Sequence, residues 1–140
     1  MDKVDLYVES ADRYLGKRLR WCGYLLSFRK KDGEEITRSE FSWEDGTYNS
    51  CIIQTMQKGL RRLKKSCEVH IHTQDGFALD MIKNYLKDWA KKGFQGKKDG
   101  SQWEEIWNLT KEHRIICCHG KHEYLSWMKG EMERKKHEEG

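Results

Sequence analysis

Apolar and polar residues alternate with a period of two in the first third of the chain, and this pattern predicts β-strands. Residues 3–9 place three aliphatic side chains on one side of an extended segment and mostly polar ones on the other. Residues 21–28 are mainly apolar and aromatic, and residues 34–43 follow a turn with an Asp-Gly pair, which is a typical hairpin signal. We therefore expect three antiparallel strands joined as a meander.

After position 46 apolar residues recur every three or four positions, as they do on the buried face of an amphipathic helix. Short apolar runs that predict strands interrupt this longer period. In the helical region after residue 76 we expect Phe77, Tyr85 and Trp89 to lie on the apolar side. The predicted elements are, in order, a helix over 47–63, a strand over 68–72, one or two helices over 77–89, a helix that Ser101 begins in a capping box with Glu104, a strand over 114–118 and a helix over 124–136.

This order of elements is typical of the α/β class. The last two strands can run parallel to the first through right-handed helical crossovers. We predict a mixed five-stranded sheet, with three antiparallel strands followed by two parallel ones and with helices on both faces. A single domain over residues 1–140 has the size to build it.

The composition limits the classes of protein that fit. Charged residues make up 36% of the 140 positions and the net charge is +4, which is compatible with an anionic partner. No apolar run is long enough to span a bilayer, so we expect no membrane association. The five cysteines are an odd number, which favours reduced thiols and a cytoplasmic location. We expect Cys22, Cys51 and Cys67 to be small buried residues.

A polar turn, Thr73-Gln74-Asp75-Gly76, directly follows the predicted strand over 68–72. Ligands of α/β sheets bind at the carboxyl ends of the strands, which makes this turn a candidate site. Asp75 precedes a predicted helix, and we expect its side chain to cap that helix.

A basic loop over 90–100, together with the helix before it, carries a dense cluster of lysines. The lysines alternate with aromatic residues, a combination that neutralises phosphates and stacks on sugars or bases. The same pattern fits a solvated loop over ordinary core aromatics, and the sequence leaves both interpretations open. The residues are Lys87, Trp89, Lys91, Lys92, Phe94, Lys97 and Lys98.

The cysteine and histidine content also suggests a zinc site. Cys117, Cys118, His119 and His122 lie close together in sequence. However, neighbouring strand residues point to opposite faces of a sheet, and the chain has no Cys-x-x-Cys pair. We therefore expect neither zinc nor another resident cofactor.

Residues 69–103, together with the order of elements, resemble the type 1 ribonuclease H family. In that family a strand ending in Thr-Asp-Ser leads into a helix, a tryptophan and a basic run, and Thr73-Gln74-Asp75 and the lysines stand at the matching places. Residues 4–10 resemble the family's first strand, and Thr47-Tyr48-Asn49-Ser50 resembles the entry to the helix with the family's glutamate. The resemblance implies the ribonuclease H fold and an RNA–DNA hybrid or other duplex as partner, bound by Asn49 and the basic loop.

The resemblance also implies hydrolysis by two Mg²⁺ or Mn²⁺ ions that four carboxylates hold. Glu9 stands in place of the first-strand aspartate and Ile52 in place of the helix glutamate. Gln74 replaces the strand-end aspartate, and counting along the last helix puts Glu131 at the fourth position. At most two of the four charges remain, so we predict an impaired metal site at which Glu9 and, weakly, Asp75 are the candidate ligands.

Three functions fit this sequence. The first is an impaired or inactive ribonuclease H-like domain that binds an RNA–DNA hybrid or other nucleic acid through the basic loop. The second is a divergent hybrid ribonuclease that needs Mg²⁺ or Mn²⁺, and the third is a protein-interaction module. Cleavage that Glu9→Gln abolishes would select the second function, and binding that is absent or insensitive to salt would select the third. The sequence favours no oligomeric state.

Overall fold

Five strands form one mixed sheet in the computed structural model, which describes residues 1–139. The strands are β1 (Asp2–Ser10), β2 (Arg18–Arg29), β3 (Glu35–Gly46), β4 (Cys67–Thr73) and β5 (Arg114–His119). The helices are α1 (Tyr48–Leu60), α2 (Gly76–Asn84), α3 (Leu86–Lys91), α4 (Gly100–Thr110) and α5 (Leu125–Glu139).

The strand order across the sheet is β3-β2-β1-β4-β5. β2 is antiparallel to both β1 and β3, whereas β4 runs parallel to both β1 and β5. The predicted α/β architecture, with three antiparallel strands followed by two parallel ones, is therefore confirmed. Its consequence for function is that β1, β4 and β5 end at the same edge of the sheet, so that residues distant in sequence meet there.

Helices cover the two faces of the sheet unequally. The main core lies under α1, α2 and α4, where aliphatic residues of β1 and β4 pack against Ile52, Met56 and Ile106. The opposite face has a smaller core, in which Met128 and Met132 of α5 pack against residues of β1 and β2. The predicted burial of the first three cysteines is confirmed, since Cys22, Cys51 and Cys67 are at most 4% exposed.

Several element boundaries differ from the predictions. β3 continues to Gly46, three residues beyond its predicted end, because it pairs with β2 along its whole length. α1 ends at Leu60 rather than 63, and Thr47 caps it by accepting from the Ser50 N–H. The prediction that Ser101 caps the next helix is wrong: Asp99 adopts a left-handed conformation and α4 already begins at Gly100.

Two aromatic residues that were expected on an apolar helix face are exposed. Phe77 is 54% exposed and Tyr85 is 47% exposed, whereas Trp89 is half-buried against the main core. The helical region breaks at Tyr85, so two short helices rather than one carry the apolar period, and Phe77 lies in the first turn of α2. Within residues 1–139 no helix has the length and apolar character needed to cross a bilayer.

Candidate functional site

Glu9 lies near the carboxyl end of β1 and is almost completely buried, with 1% exposure. Its Oε2 accepts a hydrogen bond from the backbone N–H of Gln74 at 3.1 Å. The same oxygen lies 2.8 Å from Nε2 of His122. Its other oxygen, Oε1, is buried without a hydrogen-bond partner among residues 1–139. Protein groups rather than solvent therefore surround this carboxylate.

His122 comes to this place through the fold rather than through any local motif. It follows β5 by three residues, after a turn in which the Gly120 N–H donates to the carbonyl of Thr73. The ring of Tyr7 packs against His122 with 4.9 Å between centroids. Glu9 and His122 are 113 residues apart, so nothing in the sequence pattern pointed to their contact. From its place in the sequence, His122 was a candidate zinc ligand, and its contact with Glu9 was not predicted.

Two positions where the family resemblance implies carboxylates hold no charge. Ile52 is 0% exposed and belongs to the main hydrophobic core, so its side chain offers no ligand atom. Gln74 approaches Glu9 through its backbone, while its side-chain Nε2 is buried without a partner in the described part of the chain. The structure thus brings Gln74 and Glu9 together, and it buries Ile52 in the apolar core.

Asp75 caps α2, as predicted. Its Oδ1 accepts from the Ala78 N–H at 3.1 Å, and the carboxylate is 3% exposed. The side-chain amide nitrogen of Asn49, oriented to satisfy both groups, donates to the two carboxylate oxygens at 2.8 and 3.0 Å. Burial is the main cause that raises the pKa of Asp75, and the nearby charge of Glu9 raises it further. The donors from the α2 backbone and the charge of Arg13 oppose this rise.

Glu131 makes no hydrogen bond with Glu9 in the described part of the chain. It lies on α5, and its Oε2 is 2.7 Å from Nη2 of Arg134, one turn further along the same helix. The pKa of Glu131 is lowered, first of all by the hydrogen bond from that guanidinium. The carboxylate that counting along the last helix puts at the fourth position is therefore paired with an arginine of the same helix.

Metal-ligand types do not converge anywhere in the described chain. No group of three or more His, Cys, Asp or Glu side chains within residues 1–139 has an arrangement that could hold a metal ion. The expected absence of a zinc cluster stays a prediction. The ring of His119 lies against α2, where a Cβ on Gly76 would come within 2.7 Å of Nε2.

The basic loop presents its lysines to solvent. Lys97 is half-buried, and its ammonium lies 4.1 Å from the centre of the Trp89 ring. Over the described residues, none of the five lysines of this region forms an ion pair with a carboxylate. The exposed lysines are Lys87, Lys91, Lys92 and Lys98.

The aromatic residues of this region hold the loop in place. Trp89 meets Trp103 edge to face, with 5.4 Å between ring centroids, and both contribute to the main core. Phe94 has a φ of 61°, an uncommon value for a residue with a side chain, and it also packs against this core. The structure therefore supports an anchoring role for Trp89 and Phe94, with the lysines displayed around them.

A pocket of about 240 Å³ lies between the basic loop and the first turns of α1 and α2. Asn49 lines it from α1, and Lys97 and Lys98 line it from the loop. Phe77 contributes from α2. The structure thus brings Asn49 and part of the basic loop into one surface, while Lys87, Lys91 and Lys92 lie outside this pocket.

No protein-family model matches the chain. A ribonuclease H of Campylobacter concisus is 28% identical over 93 residues, which cover 66% of this chain and 59% of that protein. The match therefore spans less than two thirds of that relative's own length.

Solved structures share the fold at low sequence identity. LC9-RNase H1, a type 1 RNase H with the type 2 active-site motif, matches with a TM-score of 0.76 and 15% identity over 96% of this chain and 70% of that one. The foamy viral protease-reverse transcriptase in complex with an RNA/DNA hybrid matches with a TM-score of 0.63 and 15% identity, over 94% of this chain and 19% of that one. Both structures contain a domain with the fold described above.

Proposed function

We propose that the chain is an impaired or inactive member of the type 1 ribonuclease H family that binds nucleic acid through its basic loop; the 28% identity with a ribonuclease H and the fold shared with LC9-RNase H1 support this proposal. An RNA–DNA hybrid or a similar duplex is the proposed ligand, since the foamy viral protein of the same fold forms a complex with such a hybrid. One observation carries the proposal. The carboxylate of Glu9, which the resemblance aligns with the family's first carboxylate, is bound by protein groups, and the side chains of Ile52 and Gln74 carry no charge.

The donor set around Glu9 does not fit the two divalent ions of ribonuclease H chemistry. Two such ions lie roughly 4 Å apart, and several carboxylate oxygens are needed to offset their repulsion. Ile52 provides none, Gln74 is neutral, and Glu131 pairs with Arg134. We infer that loss of hydrolysis follows from this lack of negative charge.

The basic loop supports the binding half of the proposal. Its lysines have no intramolecular carboxylate partners within residues 1–139, so an external anion is their best available counter-charge. Lysines held on a loop that aromatic residues anchor lose less freedom on binding than lysines on a mobile chain. Binding of this kind neutralises phosphates, so its affinity falls steeply as the salt concentration rises.

A weak nuclease that uses one ion is the second candidate. Oε1 of Glu9 has no partner in the described chain, and Asp75 is close enough for the two carboxylates to influence each other. Within residues 1–139, the carboxylates of Glu9 and Asp75 are the groups that favour this candidate over complete loss of activity.

A cleavage assay separates the two candidates. Purified protein is incubated with an end-labelled RNA–DNA hybrid in Mg²⁺ or Mn²⁺, and we expect no more product than the Glu9→Gln variant gives. The matched control is Glu131→Gln, which removes a carboxylate outside the site. Cleavage by the unaltered protein that disappears only in Glu9→Gln would select the nuclease.

A salt titration tests the binding surface. We expect Lys91→Ala/Lys92→Ala to weaken hybrid binding and to lower the slope of log affinity against log salt by about 2, since each lost phosphate contact removes about one unit. Lys31→Ala/Lys64→Ala is the matched control, because it removes two exposed lysines at the opposite end of β1. Equal effects of both pairs would contradict the proposal, and no binding at all would favour a protein-interaction module.

A further inference from the structure

The loop between β1 and β2 is held by a buried arginine that no part of the site described above uses. Arg20 is 0% exposed and its guanidinium donates to Oδ1 of Asp12 at 2.7 Å. It also donates to the carbonyls of Tyr14, Gly16 and Gly46 at 2.7, 2.6 and 3.1 Å. Burying a charge is costly unless its donors are all satisfied, so this network fixes one conformation of the loop.

This fixed loop presents apolar side chains to solvent. Leu15 is 97% exposed and Tyr14 is 66% exposed. The guanidinium of Arg18 lies over one face of the Tyr14 ring, 5.0 Å from its centre, and the residue remains largely exposed. A loop that is rigidly held and yet displays apolar surface is typical of a binding site rather than of a connection.

A second exposed ring belongs to the same cleft. Phe77 lies in the first turn of α2, and the cleft of about 510 Å³ is lined by this residue together with Tyr14 and Leu15. Gln74 and Tyr48 also line it, and the side-chain Nε2 of Gln74 is buried without a partner in the part of the chain described. The cleft therefore combines two exposed rings with a buried amide that has unused hydrogen-bonding capacity.

Arg13 completes this set of groups. It lines the cleft, and its guanidinium lies 5.5 Å from the centre of the Tyr48 ring. The size of the cleft is in the range of sites that enclose a small group, roughly 300–1,000 Å³. An aromatic platform, hydrogen-bonding groups and a cation match the base, the base edge and the phosphate of one nucleotide.

We propose that this cleft binds an unpaired nucleobase stacked on the rings of Tyr14 and Phe77, so that the protein prefers nucleic acid with unpaired bases to a continuous duplex. In a continuous duplex the faces of each base are covered by its neighbours and cannot stack on protein rings. An unpaired base offers its faces and its hydrogen-bonding edge together. The inference rests on the proposed nucleic-acid binding and names the class of ligand that the cleft selects.

The test compares three labelled probes of equal length by fluorescence anisotropy: single-stranded DNA, a continuous RNA–DNA hybrid, and the same hybrid with one unpaired base. The variants are Tyr14→Ala, Phe77→Ala and the double substitution. Since both rings are exposed, the variants should keep the fold, and circular dichroism checks this. Trp127→Ala is the matched control, because it removes a ring that is 45% exposed on α5, away from the cleft.

We expect the unaltered protein to bind the two probes with unpaired bases more tightly than the continuous hybrid. Each ring substitution should weaken binding of those two probes about fivefold or more, with less than a twofold change for the continuous hybrid. Ring variants that bind every probe like the unaltered protein, or that lose affinity equally for all, would overturn the inference. If the basic-loop variants still weaken hybrid binding in that case, the proposed function stands. Absence of binding to every probe would overturn both.

Discussion

Glu9 and the lysines of the basic loop are the two charged regions of the proposed site, and they differ in how their charges are compensated. The carboxylate of Glu9 is buried and has the Gln74 N–H and His122 as partners. The lysines are mostly exposed and have no carboxylate partners within residues 1–139. A buried carboxylate that already has protein partners gains little from binding a metal ion. An exposed lysine without a carboxylate partner remains available to an external anion.

We infer that the metal-binding half and the nucleic-acid-binding half of such a site depend on charge in different ways. Catalysis depends on several carboxylates placed together, so replacing two of four removes half of the charge on which the ions depend. Binding depends on the number of accessible cations, and it tolerates the loss of any single one. We therefore expect the metal half to fail first and the binding half to persist.

The largest effect should come from restoring a carboxylate where the family resemblance implies one. Ile52→Glu places a charge in a fully buried apolar core and should lower the free energy of unfolding by about 4 kcal/mol. Urea denaturation measures it, with Ile52→Val as the control. A recovery of stability in millimolar Mg²⁺ would show that the position still belongs to a working metal site and would contradict the comparison.

A somewhat smaller loss should follow when Glu9 loses its side-chain partner. His122→Ala leaves the buried carboxylate with one hydrogen bond and should cost about 3 kcal/mol in denaturation experiments. His72→Ala is the matched control, since His72 pairs with Asp5, a carboxylate that is 25% exposed. Equal losses in the two variants would show that the burial of Glu9 has no special consequence.

Removing a charge from the basic loop should lower the free energy of unfolding by less than the two substitutions above. Lys97→Met keeps the length of the side chain and removes the ammonium above the Trp89 ring, at a cost of about 0.5–1 kcal/mol. Lys98→Met, in which the substituted lysine has no ring contact in the described residues, should leave the unfolding free energy unchanged. A loss above 2 kcal/mol for Lys97→Met would mean that this charge is structural rather than available for ligands.

The smallest effect concerns pH and Asp75. Because its pKa is raised in the folded state, the protonated form favours folding, and this contribution is lost as the pH rises through the folded-state pKa. Asp75→Asn keeps a capping side chain and does not titrate. The unfolding free energy of the unaltered protein relative to Asp75→Asn should therefore fall as the pH rises above 3.8, the ordinary value for Asp. If the unfolding free energy of the unaltered protein relative to Asp75→Asn rises with pH instead, the pKa of Asp75 is lowered rather than raised in the folded state.

The sequence was informative where structure depends on neighbouring residues. The period of two in residues 3–9 and the longer period in α1 predicted the sheet and its helices, because a strand or helix repeats its own geometry every few residues. The capping role of Asp75 followed from its place before α2 for the same local reason. The replacement of carboxylates at Ile52 and Gln74 is implied by the resemblance alone and stays a prediction.

Only the tertiary structure decided how charges are compensated. The pairing of Glu9 with His122 joins β1 to the segment after β5, and the network of Arg20 joins a loop to the end of β3. It also decided that Phe77 is exposed rather than packed in the core. The physical reason is that periodicity is a property of adjacent residues, whereas burial and ion pairing depend on strand register and on which elements meet at one edge of the sheet.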